Sequence, residues 1–249
     1  KLNAVADEQT TDWAKNWSRI VKKIVLENEG DLVGITALRD EWVFEGFDLD
    51  KEFPWLIVIG VAMDFDEFAA APSSDTDTRS ALEVADKYNQ GARCAAQLSN
   101  WVRDHGFNAK PHVGPWAGSI TLTPAAIEAG FGELGDHGNI INDQYGSCFR
   151  LAAVSTDLPL VADKPKKFGV DDYCMHCEAC NHACPAGAIS TEKQWVRGVE
   201  KYYVDFDKCL PYFNETHGCG ICLGVCPWSR PGVAEKLASR LSGKQQEKD

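Results

Sequence analysis

The sequence predicts an α+β protein in two parts: a mixed core over residues 1–165 and a cysteine-rich domain over residues 166–249. Three observations support this division. Helix-type and strand-type hydrophobic patterns follow one another through the first two thirds of the chain. Eight of the ten cysteines lie in the last third, at spacings typical of metal ligands. Between the two parts, residues 163–169 are rich in lysine, proline and glycine and indicate a linker.

The elements of the core follow from periodicity. Apolar residues recur at helical spacing through residues 11–29, and the longest apolar run, from Trp55 to Met63, predicts a buried strand. Helices are predicted at 11–29, 79–105 and 124–129, and strands at 32–35, 53–63 and 149–160. In the helix at 79–105, the residues expected to face inward are Leu82, Ala85, Ala92, Ala96 and Trp101. The glycine-rich segments 110–118 and 130–138 are predicted to be loops, and neither carries a convincing dinucleotide fingerprint.

Composition excludes several classes of protein. At 249 residues, the chain can form one sizeable core and a small additional domain. The formal net charge of -12 disfavours nucleic acid as a partner, because phosphate binding needs a basic surface. No apolar run approaches the ~20 residues that span a bilayer. Cysteines every three residues do not suit a disulfide framework.

The first cysteine run identifies the chemistry of the second domain. Cys174, Cys177, Cys180 and Cys184 have C-x2-C-x2-C-x3-C-P spacing, which ligates iron–sulfur clusters in bacterial ferredoxins. A second run contains Cys219, Cys222 and Cys226, but Thr216 occupies the position where a fourth cysteine is expected. Cys209, ten residues before Cys219, is the candidate for the missing ligand.

In two-cluster ferredoxins the fourth cysteine of each run binds the other cluster. We therefore assign one 4Fe-4S cluster to Cys174, Cys177, Cys180 and Cys226. We assign the other to Cys184, Cys209, Cys219 and Cys222. A three-iron cluster is the alternative for the second site, and a purely structural staple is the alternative to electron transfer. His176 and His182 are interpreted as cluster surroundings, and Cys94 and Cys148 remain unassigned.

Several motifs resemble those of a known family. They are Asp157-Leu-Pro-Leu160 with Asp163-x-Pro165, the segment 127–135, Gly138-x-Ile140-Ile141, Tyr145-Gly-x-x-x-Arg150-Leu151 and Cys222-x-x-x-Cys226-Pro-Trp228. Together they resemble corrinoid- and iron–sulfur-dependent reductive dehalogenases, and more distantly the epoxyqueuosine reductases of tRNA modification. The resemblance runs from about Trp13 to Trp228. It implies a nitroreductase-like, cobalamin-binding core followed by a two-cluster ferredoxin-like domain.

The resemblance also implies two catalytic residues. Tyr88 matches the position of the dehalogenase proton donor, and Arg150 matches a basic residue near it. A phenol with a pKa near ~10 is a weak acid, and a neighbouring cation stabilises its phenolate. The alternatives are a helix tyrosine with its hydroxyl at the surface and a strand arginine paired with a surface carboxylate.

Cobalamin contacts are expected from the loops at 110–120 and 130–150, where glycines let backbone approach the corrin edge. The candidates are His112, Gly114, Trp116, Gly130, Gly132, Gly138 and Ile140. For His112, the alternatives are a substrate-pocket residue, an axial cobalt ligand and a plain loop histidine. The loop at 111–119 departs from the family pattern by being a few residues longer.

The leading hypothesis is a reductase that removes halogen from a small-molecule organohalide. Its electrons would come from reduced ferredoxin, flavodoxin or a similar donor. The first alternative is an epoxyqueuosine-reductase-like enzyme with Asp86 as the acid. The second is a non-catalytic electron-transfer or corrinoid-binding protein. As the sequence stands, without a visible export signal, a cytoplasmic location is expected. If a twin-arginine leader was removed, the expectation is the outer face of the membrane beside an anchor protein.

Overall fold

The structure, a computed structural model, describes residues 1–48, 53–115 and 118–246. These residues pack into two compact units. The sheet unit consists of residues 1–62, 86–131 and 150–165, and the cysteine unit of residues 63–85, 132–149 and 166–249. Packing units need not coincide with domains, so the limits 1–165 and 166–249 stay a prediction.

Both units contain helices and strands. The helices are α1 (Ala14–Glu27), α2 (Phe65–Phe68), α3 (Arg79–Asp104), α4 (Leu122–Glu128), α5 (Val170–Cys177), α6 (Ala179–Ala183), α7 (Phe206–Glu215), α8 (Ile221–Gly224) and α9 (Val233–Gln246), with 3-10 turns at Asp40–Trp42 and Pro227–Ser229. The strands are β1 (Leu32–Ala37), β2 (Trp55–Ala62), β3 (Ala109–His112), β4 (Glu133–Leu134), β5 (Ile140–Ile141), β6 (Phe149–Thr156), β7 (Ile189–Val196) and β8 (Val199–Val204). Among the described residues, no helix is both long and apolar enough to cross a bilayer.

A four-stranded sheet of order β1-β2-β6-β3 organises the sheet unit. The predicted buried strand is confirmed as β2, whose residues 56–61 are all buried. β1 pairs antiparallel with β2, and β3 pairs antiparallel with β6. The loop predicted from residue 110 is wrong at its start, because Lys110–His112 belong to β3. Pro111 is tolerated there since β3 is an edge strand.

Helices α1 and α3 provide much of the core of the sheet unit. Trp17, Val21 and Val25, four residues apart on α1, are buried against the sheet strands. The buried face of α3 consists of Gly91, Cys94, Ala95, Leu98 and Val102. The expectation that Leu82 and Ala85 face inward is wrong, because both are exposed.

The predicted linker at 163–169 is fixed at both ends. Asp163 accepts a hydrogen bond of 2.8 Å from the Ile35 backbone N–H and forms an ion pair with Lys22. In the cysteine unit, Glu133 Oε1 accepts hydrogen bonds from the N–H groups of residues 168–170, at 2.6–3.3 Å. A carboxylate at the first turn of α5 satisfies donors that the helix leaves unpaired.

Gly34 is expected to tolerate no side chain. An ideal Cβ at Gly34 in β1 would lie 2.2 Å from the backbone oxygen of Ala129. Because this neighbour is backbone, Gly34→Ala should lower the free energy of unfolding by about 1–3 kcal/mol. For a chain of this length, each kcal/mol of lost stability corresponds to a fall in Tm of roughly 2–4 °C, which circular dichroism can measure.

Gly243→Ala on α9 is the matched control, since its Cβ would meet nothing within 4 Å. Alanine is the better helix former by about 0.5–1 kcal/mol, so we expect its Tm to stay the same or rise slightly. An unchanged Tm for Gly34→Ala would show that the Ala129 backbone moves aside at little cost.

Candidate functional site

The first set of thiols in the cysteine unit, which we call quartet A, is Cys174, Cys177, Cys180 and Cys226. Cys174 and Cys177 lie in α5, and Cys180 lies in α6 after Glu178, whose φ of 47° turns the chain sharply. Burial, followed by the charges of Asp136, Cys226 and Cys177, raises the pKa of Cys180 to about 12. Cys226, whose pKa burial raises to about 11, also has Cys177 as a charged neighbour. Cys174 packs in one core with Cys226, and the charges of Cys226 and Cys180 add to the burial that raises its pKa.

The second set, quartet B, is Cys184, Cys209, Cys219 and Cys222. Burial raises the pKa of Cys222 to about 12, and the charges of Cys180, Cys219, Cys184 and Cys209 add to the effect. Cys209, in α7, has Cys184 and Cys219 as charged neighbours, and burial is again the largest cause of its raised pKa. The Ala188 N–H donates to the Cys184 sulfur at 3.4 Å.

The quartets are the two ligand sets assigned from the spacing, and both this division and the binding of clusters stay a prediction. The described residues contain no group of His, Cys, Asp or Glu that converges on a single metal ion. A 4Fe-4S cluster differs from such a site because it is held by four cysteine thiolates. Mutually repelling thiolates need a cationic core to offset their charge, so this donor set fits iron–sulfur clusters.

The remaining two thiols have structural surroundings. Cys94 is buried in the core of the sheet unit, and burial raises its pKa to about 11. Cys148 is buried in the cysteine unit, where its sulfur lies 3.6 Å from the Met63 oxygen. Both are free thiols, as are the eight in the quartets. Buried, uncharged thiols of this kind behave as small apolar side chains.

Tyr88 and Arg150, predicted as a catalytic pair, are brought together in the sheet unit. Tyr88 lies on α3 and Arg150 on β6, and both are half-buried. The Arg150 guanidinium carbon stands 5.8 Å from the centre of the Tyr88 ring. This distance is within the range of about 6 Å at which a cation and an aromatic ring attract each other. The arrangement places a permanent positive charge beside a phenol.

His112 has a different setting from the one expected. It is a buried residue of β3, not a loop histidine, and its Nε2 lies 2.9 Å from Ser155 Oγ. Axial ligation of a metal through Nε2 would break this hydrogen bond. Gly114 follows with a φ of 76°, and its Cβ would meet nothing within 4 Å. Backbone there could approach a flat ligand, whereas Trp116 lies outside the described residues.

The other candidate cofactor residues have contacts within the protein. Gly130 follows the end of α4 with a φ of 82° and donates to the Ile127 oxygen, as glycines after helices commonly do. An ideal Cβ on Gly132 would lie 2.0 Å from the Ile141 oxygen, and one on Gly138 would lie 3.1 Å from Val204. Ile140 is buried in β5. Packing alone therefore explains Gly132, and the cobalamin contacts stay a prediction.

Sequence reasoning missed a buried polar group beside quartet A. Burial raises the pKa of Asp136 to about 6, and the Asp136 side chain hydrogen-bonds Cys174. The adjacent His137 is buried, which lowers its pKa to about 4, and its Nε2 lies 3.2 Å from Ser147 Oγ. The only signal in the sequence is the pair of ionisable residues inside the glycine-rich segment 130–138.

Comparison with known proteins places these features in context. A family model for a 4Fe-4S dicluster domain matches residues 173–229, a range that contains both quartets. A tetrachloroethene reductive dehalogenase of Desulfitobacterium hafniense is 32% identical over 188 residues, which is 70% of this chain and 33% of that protein. The chain thus spans about a third of this relative's length.

Two further comparisons address the fold and the alternative function. The structure aligns with a solved reductive dehalogenase, described as suggesting a mechanism for B12-dependent dehalogenation, with a TM-score of 0.85 and 23% identity. The alignment covers 99% of this chain and 39% of the other, and it establishes the shared fold. The epoxyqueuosine reductase of Escherichia coli is 32% identical over 153 residues, 54% of this chain and 36% of that protein.

Proposed function

Since this chain is a relative of the iron–sulfur-dependent reductive dehalogenases in sequence and fold, we propose that it reductively removes halogen from a small organohalide. The observation that carries the proposal is the contact between Arg150 and Tyr88. An electron carrier needs only its clusters, whereas a reductive dehalogenase also needs a proton at the carbon that loses the halide. The pair supplies a donor for that proton.

Tyr88 is the proton donor in this proposal. The phenolate left after proton transfer is stabilised by a positive charge nearby. Arg150 provides that charge and keeps it, because guanidinium does not deprotonate in proteins. Since transfer from a positioned side chain contributes typically 10²- to 10⁴-fold to a rate, Tyr88 is central to turnover.

The quartets are proposed to hold the two clusters through which electrons arrive from reduced ferredoxin, flavodoxin or a similar carrier. The net reaction consumes two electrons and one proton for each halide released. A bound corrinoid would supply the cobalt chemistry that breaks the carbon–halogen bond. His112 and Gly114 would lie on its border in the sheet unit, and Gly130, Gly132, Gly138 and Ile140 are the other proposed contacts.

Similarity to epoxyqueuosine reductase supports a second candidate, with Asp86 as the acid. The Asp86 carboxylate is 57% exposed and pairs with Lys87 at 3.1 Å. An exposed carboxylate paired with a neighbouring lysine has the ordinary setting of a surface residue. The net charge of -12 also opposes binding of tRNA. Both observations favour dehalogenation.

Anaerobic reconstitution tests the proposal. The chain is incubated with iron, sulfide and hydroxocobalamin, then desalted and examined by absorbance and electron paramagnetic resonance. We expect retained corrinoid and two clusters, and halide release when an organohalide panel is added with a low-potential reductant. Clusters without retained corrinoid or halide release would contradict the proposal and favour a plain electron-transfer protein.

A further inference from the structure

Trp228 has a buried hydrogen-bond donor that the protein leaves unused. The side chain is 1% exposed and packs against the rings of Phe168 and Tyr173, with centroids 5.6 and 5.4 Å away. Its indole Nε1 is inaccessible to solvent and has no hydrogen-bond partner. Indole N–H is a donor only, and a buried donor without an acceptor is costly. The position of Trp228 therefore indicates an acceptor that binds later.

Two ligands of quartet A pack in the same core as this indole. Trp228 shares one hydrophobic core with Cys174 and Cys226, and Tyr173, the residue before Cys174, packs against that core. Two of the four ligands assigned to one cluster thus lie in the immediate surroundings of Trp228. A cluster bound there would bring inorganic sulfide and thiolate acceptors next to the indole.

Ser229 adds a second donor at the same place. Its buried Oγ accepts the Ser147 N–H at 3.3 Å, which leaves the hydroxyl proton for another acceptor. Ser229 lies next to the ligand Cys226, because its backbone N–H donates to the Cys226 oxygen at 3.0 Å. A hydroxyl directed at a ligand sulfur stabilises negative charge on it.

The turn at 227–229 is held rigidly. An ideal Cβ on Gly146, whose φ is 56°, would lie 2.2 Å from the Trp228 oxygen, so backbone packs directly on backbone. Ser147 is fixed in turn by a 2.8 Å hydrogen bond from its Oγ to the Ile140 oxygen. Donors in such a setting are preorganised, because neither side chain must be ordered when the cluster forms.

We propose that Trp228 and Ser229 donate hydrogen bonds to the cluster of quartet A and raise its reduction potential. The inference rests on the cluster part of the proposed function. Reduction adds one electron to the cluster and increases negative charge on its sulfurs, and no bond forms or breaks. Donors to those sulfurs stabilise the reduced form more than the oxidised form. The cluster of quartet B would have different hydrogen-bond donors, among them the backbone N–H groups of Ala188 and Ile221.

The test uses Trp228→Phe and Ser229→Ala in the chain reconstituted with iron and sulfide alone. Phenylalanine keeps an aromatic ring but removes the N–H, and alanine removes only the hydroxyl. In each variant, the reduction equilibrium of one cluster should shift about tenfold toward the oxidised form, which is about 59 mV for one electron. The potential of the other cluster should not move. Redox titration followed by electron paramagnetic resonance measures both.

A second readout separates hydrogen bonding from a general loss of packing. The reduced wild-type cluster should show exchangeable proton couplings in electron–nuclear double resonance, and Trp228→Phe should remove one of them. Trp195→Phe and Ser239→Ala are the matched controls. Trp195 is 76% exposed on β7 and Ser239 is exposed on α9, so neither should alter a potential or a coupling.

Unchanged potentials in both Trp228→Phe and Ser229→Ala would overturn the inference. If Trp228→Phe does not assemble its clusters, the cluster potential of Ser229→Ala alone tests the inference, because this variant leaves the aromatic packing intact. A wild-type chain that binds no cluster would overturn both the inference and the proposed function. A chain that binds two clusters but never releases halide would contradict only the proposed function.

Discussion

Replacing Tyr88 with phenylalanine should lower the rate of halide release by about 10²- to 10⁴-fold, the usual contribution of a positioned proton donor. The substitution deletes only the hydroxyl. The ring that Arg150 contacts at 5.8 Å remains, so the local packing of α3 against β6 should persist. The measurement is steady-state halide release by the reconstituted chain, with cluster and corrinoid content determined on the same sample.

Tyr203→Phe is the matched control for this substitution. Tyr203 lies on β8 of the cysteine unit and is partly exposed, so loss of its hydroxyl should leave the rate unchanged. If Tyr88→Phe also keeps the wild-type rate, Tyr88 has no part in proton delivery. A rate lost together with the clusters would indicate misassembly, so spectra that match wild type are required before the rate is interpreted.

The proposed catalytic pair was predictable only through resemblance to a family. Tyr88 and Arg150 are far apart in the chain, and no local pattern connects a helix residue with a strand residue at such a distance. The cysteines differ, because their ligand spacing is a short-range property of the chain. Cys209 required one further step, the recognition that Thr216 occupies a ligand position. The division of the eight thiols into two quartets stays a prediction of this reasoning.

The inward face of α3 shows where hydrophobic periodicity fails. Leu82 was expected inside from helical spacing, yet it is exposed and the buried face contains Gly91, Cys94 and Ala95. A Cβ on Gly91 would already lie 3.2 Å from the Ala152 Cβ, so the helix packs closely on β6. Close approach selects small residues, which contribute little to a hydrophobic pattern. Which face of such a helix is buried therefore depends on the strand that it packs against. The local sequence does not reveal that strand.

The polar surroundings of quartet A could not be predicted for a related reason. Asp136, Ser147 and Ser229 are distant in sequence, and each is an unremarkable polar residue in its own segment. Only the fold of the cysteine unit connects Ser147 to Ser229 and Asp136 to Cys174. Burial then gives these groups their importance, because a polar atom shielded from water must find a partner.

Replacing Cys184 with alanine should remove the cluster of quartet B while the cluster of quartet A persists. Cys184 belongs to the first cysteine run, but its neighbours in the structure are Cys209, Cys219 and Cys222. Three thiols would remain, so we expect either complete loss of that cluster or a three-iron form. Iron analysis and electron paramagnetic resonance of the reconstituted variant distinguish these outcomes. Cys94→Ala, which removes a buried thiol outside both quartets, should keep the full iron content.

Removing a cysteine other than Cys184 or Cys226 separates crossed from local ligation. In Cys219→Ala, crossed ligation leaves the cluster of quartet A, so a second substitution, Ser229→Ala, should still shift the remaining potential, because the Ser229 N–H donates to the Cys226 oxygen at 3.0 Å. In Cys174→Ala, crossed ligation leaves the cluster of quartet B, and Ser229→Ala should have no effect on it. The reverse pattern would mean that each cysteine run binds its own cluster. Because the two outcomes predict opposite responses to one hydroxyl, the double variants settle the ligand sets without any measurement of turnover.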